Sequence, residues 1–391
     1  MRLLYHHRTQ AEDGQAVHIR SLIEAFKAAQ HDVHEVALVK RGDPAAPETE
    51  NTGPVAPTTE GGWNWIGRVP RFVRELAEYG YTLPARRRLL RAAREFQPEF
   101  IYERYAFGCA AGVQAADRLG IPLVLEVNSP MVLELSRTRG LSFPRIARRV
   151  ENSIFRGAQR VCVVTAVLGE MLADLGVERE RLVVTPNGVH PELYASPDRD
   201  AARADLGLCD VEGMVLGFVG YYRDWHRLDL VIEGLRDSGL QTAHLVLIGN
   251  GPIEDELRRT ASSAGVADRV HFAGRRAHER IPGLLPAFDI ALIPAINPYA
   301  SALKLHEYMA AGLPVVAPDQ PNLREVLQDG QNGLLVPPGD AQGLCSALRR
   351  LVEDGSLRER LGDEARASIV QQELTWGGNV RRVLDAVEPL I

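Results

Sequence analysis

The sequence has few cysteines and no long apolar run. Cys109, Cys162, Cys209 and Cys345 are far apart, and no pair has zinc-finger or redox spacing. They read as reduced, mostly buried thiols of a cytoplasmic protein. No stretch approaches the roughly 20 apolar residues that a membrane-spanning helix needs. A secretory pattern is missing too: Arg2 precedes a short apolar strand and then His6-His7-Arg8. Nor is there an excess of positive charge. The formal net charge of −6 argues against a general nucleic-acid binder and leaves room only for a local basic patch. The one Asp-x-Asp match of interest, Asp198-Arg199-Asp200, falls in a polar stretch read as linker, so neither a metal nor another cofactor is expected.

What is present suits a two-domain globular chain. Its 391 residues suffice for two full cores, and 45% hydrophobic with 25% charged residues is ordinary for a soluble fold. Leu3-Leu4-Tyr5 reads as a strand, and a polar loop then runs to Gly14. Gln15 to Ala29 sets Val17, Leu22, Ile23 and Phe26 on one helical face, and Val33 to Val39 is a second strand. That order is Rossmann-like. Glycines are too few for the full dinucleotide fingerprint, so a nicotinamide oxidoreductase is disfavoured.

Gly42 to Gly62 has no apolar period and reads as a flexible loop. Trp63 and Trp65 follow. Between residues 68 and 94 eight arginines then stand against only Glu75 and Glu78, interleaved with Phe72, Val73, Leu76, Leu89 and Leu90. Residues 137–156 are arginine-rich as well. Two readings stay open: a solvated helix face, or a contact with an anionic membrane or a lipid-linked acceptor.

Phe100-Ile101-Tyr102 and Pro122 to Val127 are further strands, separated by a helix from about Phe107 to Leu119. Residues just past the carboxyl end of a parallel strand face the ligand crevice. Glu126 and Asn128 are therefore candidates to line a ligand site; the alternative is that Glu126 pairs with a nearby arginine. Arg160 to Thr165 and Arg181 to Thr185 are strands, Asn187-Gly188 a tight turn, and Pro197 to Ala204 a linker leading to a new helix.

The second half repeats the alternation. Val215 to Val219 is a strand ending at Gly220, and Tyr221 to Arg227 leads into a helix from Leu228 to Leu235. A strand, a glycine and basic residues before a helix describe a phosphate site. Arg223, His226 and Arg227 either share that clamp or face solvent. Gly249-Asn250-Gly251 ends the next strand and lets backbone lie close to a ligand.

The chain is organised around Asn297 to Pro318, NPYASALKLHEYMAAGLPVVAP. Small residues precede a helix from Leu303 to about Ala311, Gly312 stops it, and Leu313 to Ala317 reads as a buried strand. Lys304 in the first turn opposes the helix dipole, a penalty that an anion on the free N–H groups would reverse. Glu307 is one turn further on the same face and could accept from ribose hydroxyls. The alternative is a Lys304–Glu307 surface pair, worth roughly 0.2–0.5 kcal/mol.

SALKLHEYM, the run Pro186-Asn187-Gly188-Val189-His190, the Gly220 loop and Gly330 to Val336 together resemble retaining glycosyltransferases of family 4. The likeness covers nearly the whole chain and is densest from Val184 to Pro337. It implies the α/β GT-B fold: two facing Rossmann-like domains with parallel sheets and a cleft, at residues 1–190 and 191–375, with 376–391 packing back on the first. It implies retaining, metal-independent transfer from a nucleotide sugar, a UDP- or GDP-sugar, to an acceptor hydroxyl in polysaccharide, glycolipid or glycoconjugate synthesis. The acceptor would be a glycan, lipid-linked or a small molecule. Cytoplasmic placement, at the inner membrane face if the basic segments dock there, goes with it.

The resemblance assigns Arg223, His226 and Lys304 to the diphosphate and Glu307 to the ribose. Gly220, Arg227, Gly249, Asn250 and Gly251 border the donor, and Arg275 meets the base through its backbone. Tyr299, Ala300, Ser301, Ala302 and Leu303 meet sugar and phosphate. Gly14 and His18 line the acceptor side with Glu126 and Asn128; an ordinary helix histidine is the other reading of His18. There are departures. Tyr299 stands where many family members have a first glutamate, Tyr221 replaces an arginine, and Arg227 replaces a glycine. A non-catalytic GT-B subunit is one alternative and a GT-B epimerase another.

Overall fold

The computed structural model describes residues 1–9, 14–37 and 70–391. Trp63, Trp65, Arg68, the Gly42 to Gly62 loop and the end of the expected second strand lie outside them. The chain divides into two compact units, residues 1–185 with 380–391, and residues 186–379. The sequence reading set these limits at 190 and 375.

Among the described residues the first unit holds six parallel strands: β1 (Arg2–His7), β2 (Asp32–Ala37), β3 (Phe100–Arg104), β4 (Leu123–Val127), β5 (Arg160–Val163) and β6 (Leu182–Val184). Their order is β2-β1-β3-β4-β5-β6. Its helices are α1 (Gly14–Ala28), α2 (Arg71–Gly80), α3 (Thr82–Phe96), α4 (Ala111–Leu119), α5 (Met131–Thr138), α6 (Pro144–Gly157) and α7 (Ala166–Asp174). β3 and β4 are buried along their whole length, as parallel strands covered on both faces must be. The chain reverses its direction of travel across the sheet between β1 and β3, where His6 lies opposite Glu103.

The second unit starts with α8 (Arg199–Asp205) and has its own six parallel strands. They are β7 (Val215–Val219), β8 (His244–Ile248), β9 (Val270–Gly274), β10 (Ile290–Leu292), β11 (Val315–Pro318) and β12 (Leu334–Val336), in the order β12-β11-β10-β7-β8-β9. Between them run α9 (Leu228–Gly234), α10 (Glu254–Ser263), α11 (Ile281–Leu284), α12 (Leu303–Ala310) and α13 (Pro321–Arg324), followed by α14 (Ala341–Glu353) and α15 (Gly355–Gln371); α16 (Trp376–Val387) starts in this unit and belongs to the first from Val380 on. Alternate side chains sort to opposite faces of this sheet. Leu245 and Leu247 join one hydrophobic cluster, Val246 and Ile248 the other. The reversal lies between β7 and β10, which pair at Ala291 and Gly217. Ligands of open α/β sheets sit at such a reversal, off the carboxyl ends of the strands.

Two local expectations need correction. The polar linker from Pro197 contains a helix: Asp198 accepts from the Ala201 N–H at 2.9 Å and caps α8, so Asp198-Arg199-Asp200 is a helix start. The helix expected from Phe107 begins only at Ala111.

Candidate functional site

At the carboxyl edge of the second sheet, glycines let three loops interlock. Gly220 N–H donates to the Ile248 carbonyl, Tyr222 N–H to the Asn250 carbonyl, and Gly249 N–H to the Gly274 carbonyl. Gly249, at φ 143°, has no room for a side chain, because a Cβ would stand 1.9 Å from the Gly220 oxygen. The Tyr222 hydroxyl donates to the Leu247 carbonyl at 2.9 Å. On the other side of β7, the Val219 N–H donates to the buried Tyr308 hydroxyl at 2.8 Å, which ties the strand end to α12.

The segment before α12 is held by two asparagines. The Asn322 amide donates to the carbonyls of Asn297 (3.1 Å) and Ala300 (2.8 Å). The Asn187 amide donates to the Ser301 carbonyl at 2.8 Å, and the Asn187 N–H to the Ser301 hydroxyl at 3.1 Å. In a trans peptide the N–H points opposite to the carbonyl. With the Ala300 and Ser301 carbonyls turned onto the asparagines, the N–H groups of Ser301 and Ala302 are turned away from them. The N–H groups of Ser301, Ala302, Leu303 and Lys304 meet no acceptor among the described residues, and Ala302 gives α12 no side-chain cap. Consecutive unpaired donors at a helix start form a seat for an anion.

Charge at this seat is finely placed. The Lys304 ammonium lies 3.8 Å from the Phe218 ring centroid, a cation–π contact. It occupies space that a Cβ on Gly220 would take, at 2.6 Å from Nζ. Burial lowers the Lys304 ammonium to about 7. Glu307 is buried, and burial raises its carboxyl to about 7 against the pull of Lys304. Among the described residues its ion-pair partner is His278, 3.3 Å away. No ion pair joins Lys304 to Glu307, so the surface-pair reading falls: Glu307 is buried, Lys304 is half-buried, and their mutual attraction does not outweigh burial for either. Arg223 stacks on Tyr221 (4.7 Å) and Trp225 (5.3 Å) and pairs with no carboxylate among the described residues.

The remaining predicted donor residues divide. Gly220, Gly249, Asn250 and Gly251 shape the interlocked loops, and a Cβ on Gly251 would meet the Tyr222 backbone at 2.2 Å. Arg275 is exposed just past β9. Tyr299 is buried in the segment that Asn322 braces. Two corrections concern the clamp. Arg227 is exposed and bound to Asp229 at 2.9–3.1 Å, and its φ of 50° explains why the resembled motif has a glycine there. His226 is no cation: burial, Lys304 and Arg223 push its imidazole down to about 3. Its Nδ1 lies 3.5 Å from the Ala295 carbonyl oxygen.

In the first unit the candidates converge on Glu126, which is 1% exposed. One carboxylate oxygen meets the Arg104 guanidinium and the Asn128 amide. The other meets His18 at 3.2 Å and accepts from the Tyr102 hydroxyl at 2.9 Å. Burial alone would raise the Glu126 carboxyl, but His18 and Arg104 outweigh it and hold it far below the usual range. With four partners, Glu126 has no acceptor capacity left for a ligand; it positions His18 and Asn128. Gly14 opens α1 and is exposed, while His18 is buried on that helix.

Sequence reasoning missed Asn322 and His278, and it read Asn187 only as a turn residue. Asn187 sits in a recognisable Asn-Gly turn, but Asn322 lies 22 and 25 residues from its partners and has no local signature.

Two family models match the chain: one described as Glycosyltransferase Family 4 over residues 13–193, and one described as Glycosyl transferases group 1 over residues 213–354. A D-inositol 3-phosphate glycosyltransferase of Stackebrandtia nassauensis is 29% identical over 302 residues, 74% of this chain and 67% of its own length. An alpha-D-kanosaminyltransferase of Streptomyces kanamyceticus is 28% identical over 261 residues, 63% of this chain and 65% of its own. The chain thus spans about two thirds of the length of these relatives. Among solved structures, Anabaena Alr3699/HepE in complex with UDP has a TM-score of 0.74 at 19% identity, covering all of both chains. Sucrose-phosphate synthase from Thermosynechococcus elongatus has a TM-score of 0.74 at 21% identity, covering 100% of this chain and 99% of its own.

Proposed function

Because the chain belongs to glycosyltransferase family 4 and has the GT-B fold, we propose that its second unit binds a nucleotide sugar and that the enzyme transfers the sugar to an acceptor hydroxyl with retention and without a metal. The supporting observation is the seat at the start of α12. Four consecutive N–H groups lack an acceptor among the described residues, and the last of them belongs to Lys304, whose ammonium rests on the Phe218 ring next to Gly220.

A departing diphosphate gathers negative charge as the glycosidic bond breaks. Donors fixed in advance stabilise that charge without reorganising at the moment of reaction. The N–H groups of Ser301 to Lys304, the Lys304 ammonium and the stacked Arg223 guanidinium take that role, so the reading requires no divalent ion. Glu307 accepts from the ribose hydroxyls. His226, neutral, can hold a hydrogen bond but adds no charge. In a retaining reaction of this kind the leaving phosphate helps deprotonate the acceptor on the same face of the sugar. Asn128 and His18 of the first unit, oriented by Glu126, provide acceptor contacts.

A relative named for D-inositol 3-phosphate and a structure solved with UDP make UDP-sugars and hydroxylated small molecules the first compounds to try. Polysaccharide and lipid-linked acceptors come next. Calorimetric titration with UDP-, GDP- and ADP-sugars tests the donor half. Turnover in excess chelator tests metal independence, and the anomeric configuration of the product tests retention. Donor binding without turnover or donor hydrolysis would favour a non-catalytic nucleotide-sugar-binding subunit. Tyr299, buried where many family members carry a glutamate, keeps that second reading in view.

A further inference from the structure

Helix α2 is built inside out. The residue it buries is an acid, Glu75 at 5% exposure, whereas Phe72, Val73 and Leu76 are 50%, 40% and 51% exposed. Large apolar side chains grouped on one exposed face mark an interaction surface; scattered ones do not.

The inversion has a clear cause. The Glu75 carboxylate accepts from the Ser142 N–H at 2.6 Å, from the Phe143 N–H at 3.1 and 3.2 Å, and from the Tyr79 hydroxyl at 3.0 Å. It closes the start of α6, where the N-cap residue Phe143 has no side-chain acceptor of its own. The bonds from the Ser142 and Phe143 N–H groups to one buried carboxylate fix the roll of α2 and turn its apolar face to solvent, while Tyr79 of α2 itself completes the carboxylate's shell. The lock also brings the middle of α2 to the start of α6, where Ile146 is 46% exposed in the first turn.

The unpaired charges that α2 and α6 carry at this face are of one sign. Arg71, Arg74, Arg145 and Arg149 are exposed. The acids of α2 and α6 are all engaged. Glu75 is buried as described. Glu78 pairs with Arg8 at 2.9 Å, and Glu151 is buried against the Tyr105 hydroxyl and the Val132 N–H. An apolar centre rimmed by long cations matches a bilayer surface with anionic headgroups. The aromatic and aliphatic side chains enter the acyl boundary, and the guanidinium groups stay at the phosphate level.

We propose that the outward face of α2, with the first turn of α6, docks on an anionic lipid bilayer. This surface is independent of the nucleotide-sugar reading and stands or falls separately. The test is co-sedimentation of the full chain with vesicles of phosphatidylcholine alone or mixed with phosphatidylglycerol, at low and high salt. The full chain should sediment with the anionic vesicles, far less with the neutral ones, and progressively less as salt rises. The double variant Phe72→Ser, Leu76→Ser should lose about tenfold or more in partitioning. Both positions are exposed, so its thermal unfolding should match the parent and prove it folded. Failure of the full chain to bind anionic vesicles at low salt overturns the proposal, as does equal binding by the double variant. A dimer in solution that the double variant abolishes would overturn it too, and assign the face to a second copy.

Discussion

The Lys304 ammonium rests 3.8 Å from the centre of the Phe218 ring, and no ion pair links it to Glu307 one turn along α12. A quadrupole compensates a buried charge far less than a carboxylate does, so the ammonium is lowered to about 7. An anion held on the four N–H groups at the start of its helix and reached by the ammonium would return the lost stabilisation and restore an ordinary lysine affinity for the proton.

Nucleotide-sugar binding should therefore take up protons at pH 8. Lys304 is then largely neutral in the free protein and is charged in the complex, while Glu307, also near 7, is already mostly ionised and adds little. Titration calorimetry in buffers of different ionisation enthalpy measures the uptake directly, and it should approach one proton per ligand. Lys304→Met should abolish it. Zero uptake by the parent at pH 8 would mean that the anion binds elsewhere.

Glu307 gives a second pH signature, of opposite kind. Its carboxyl holds a proton up to about 7 in the native protein, against an ordinary value of about 4.5 in the unfolded chain. The unfolded chain thus loses that proton first as pH rises. The native state loses stability between about 4.5 and 7 and carries the deficit above that window. Glu307→Gln has no such deficit, so its melting temperature relative to the parent should rise between pH 5 and pH 8. Its nucleotide-sugar affinity should fall by more than about tenfold, or about 1.4 kcal/mol. Unchanged affinity would remove Glu307 from the ribose.

Arg223 and Arg227 are near neighbours with different fates. Arg227→Gly gives up an exposed ion pair worth about 0–1 kcal/mol and relieves a left-handed backbone that costs a non-glycine residue roughly 1–2 kcal/mol. Its stability should hold or rise by up to about 1 kcal/mol, with ligand affinity within about twofold of the parent. Arg223→Ala should leave the melting temperature nearly unchanged and weaken ligand binding by about tenfold or more. Denaturant melts and titrations on the pair settle which arginine serves the phosphates.

Asn322→Ala tests the bracing of the seat. It leaves the Asn297 and Ala300 carbonyls without their donor and should cost about 1–3 kcal/mol of stability. Ligand affinity should drop by roughly tenfold because the N–H groups lose their aim. A variant that is destabilised but binds normally would reduce Asn322 to a structural role.

The fold was legible because strand and helix alternate with clear periods. β8 and β9 fall where the apolar runs do, and Gly220, Gly249 and Gly274 mark the strand ends. Lys304 stood out in the sequence because a cation at a helix start is anomalous without an anion, and Glu307 through the resembled motif. Other features depend on tertiary surroundings. The neutrality of His226 follows from its enclosure beside Lys304 and Arg223, and sequence carries no measure of that. The engagement of Glu126 requires Tyr102 and Arg104 of the neighbouring strand and His18 of α1, brought together only by the fold. The inversion of α2 follows from a bond between Glu75 and a backbone 67 residues away. Periodicity located the apolar side of that helix but not the direction it faces.

The bond from Asn187 to Ser301 has a chemical lifetime. Asn187 precedes Gly188, and an asparagine followed by glycine is the pair at which polypeptides deamidate most readily. Conversion of Asn187 to aspartate would set a carboxylate against the Ser301 carbonyl it now grips, repelling the segment it fixes. Stored protein should therefore lose nucleotide-sugar affinity with age while its fold persists, and holding the seat occupied should slow that decay by keeping the amide engaged.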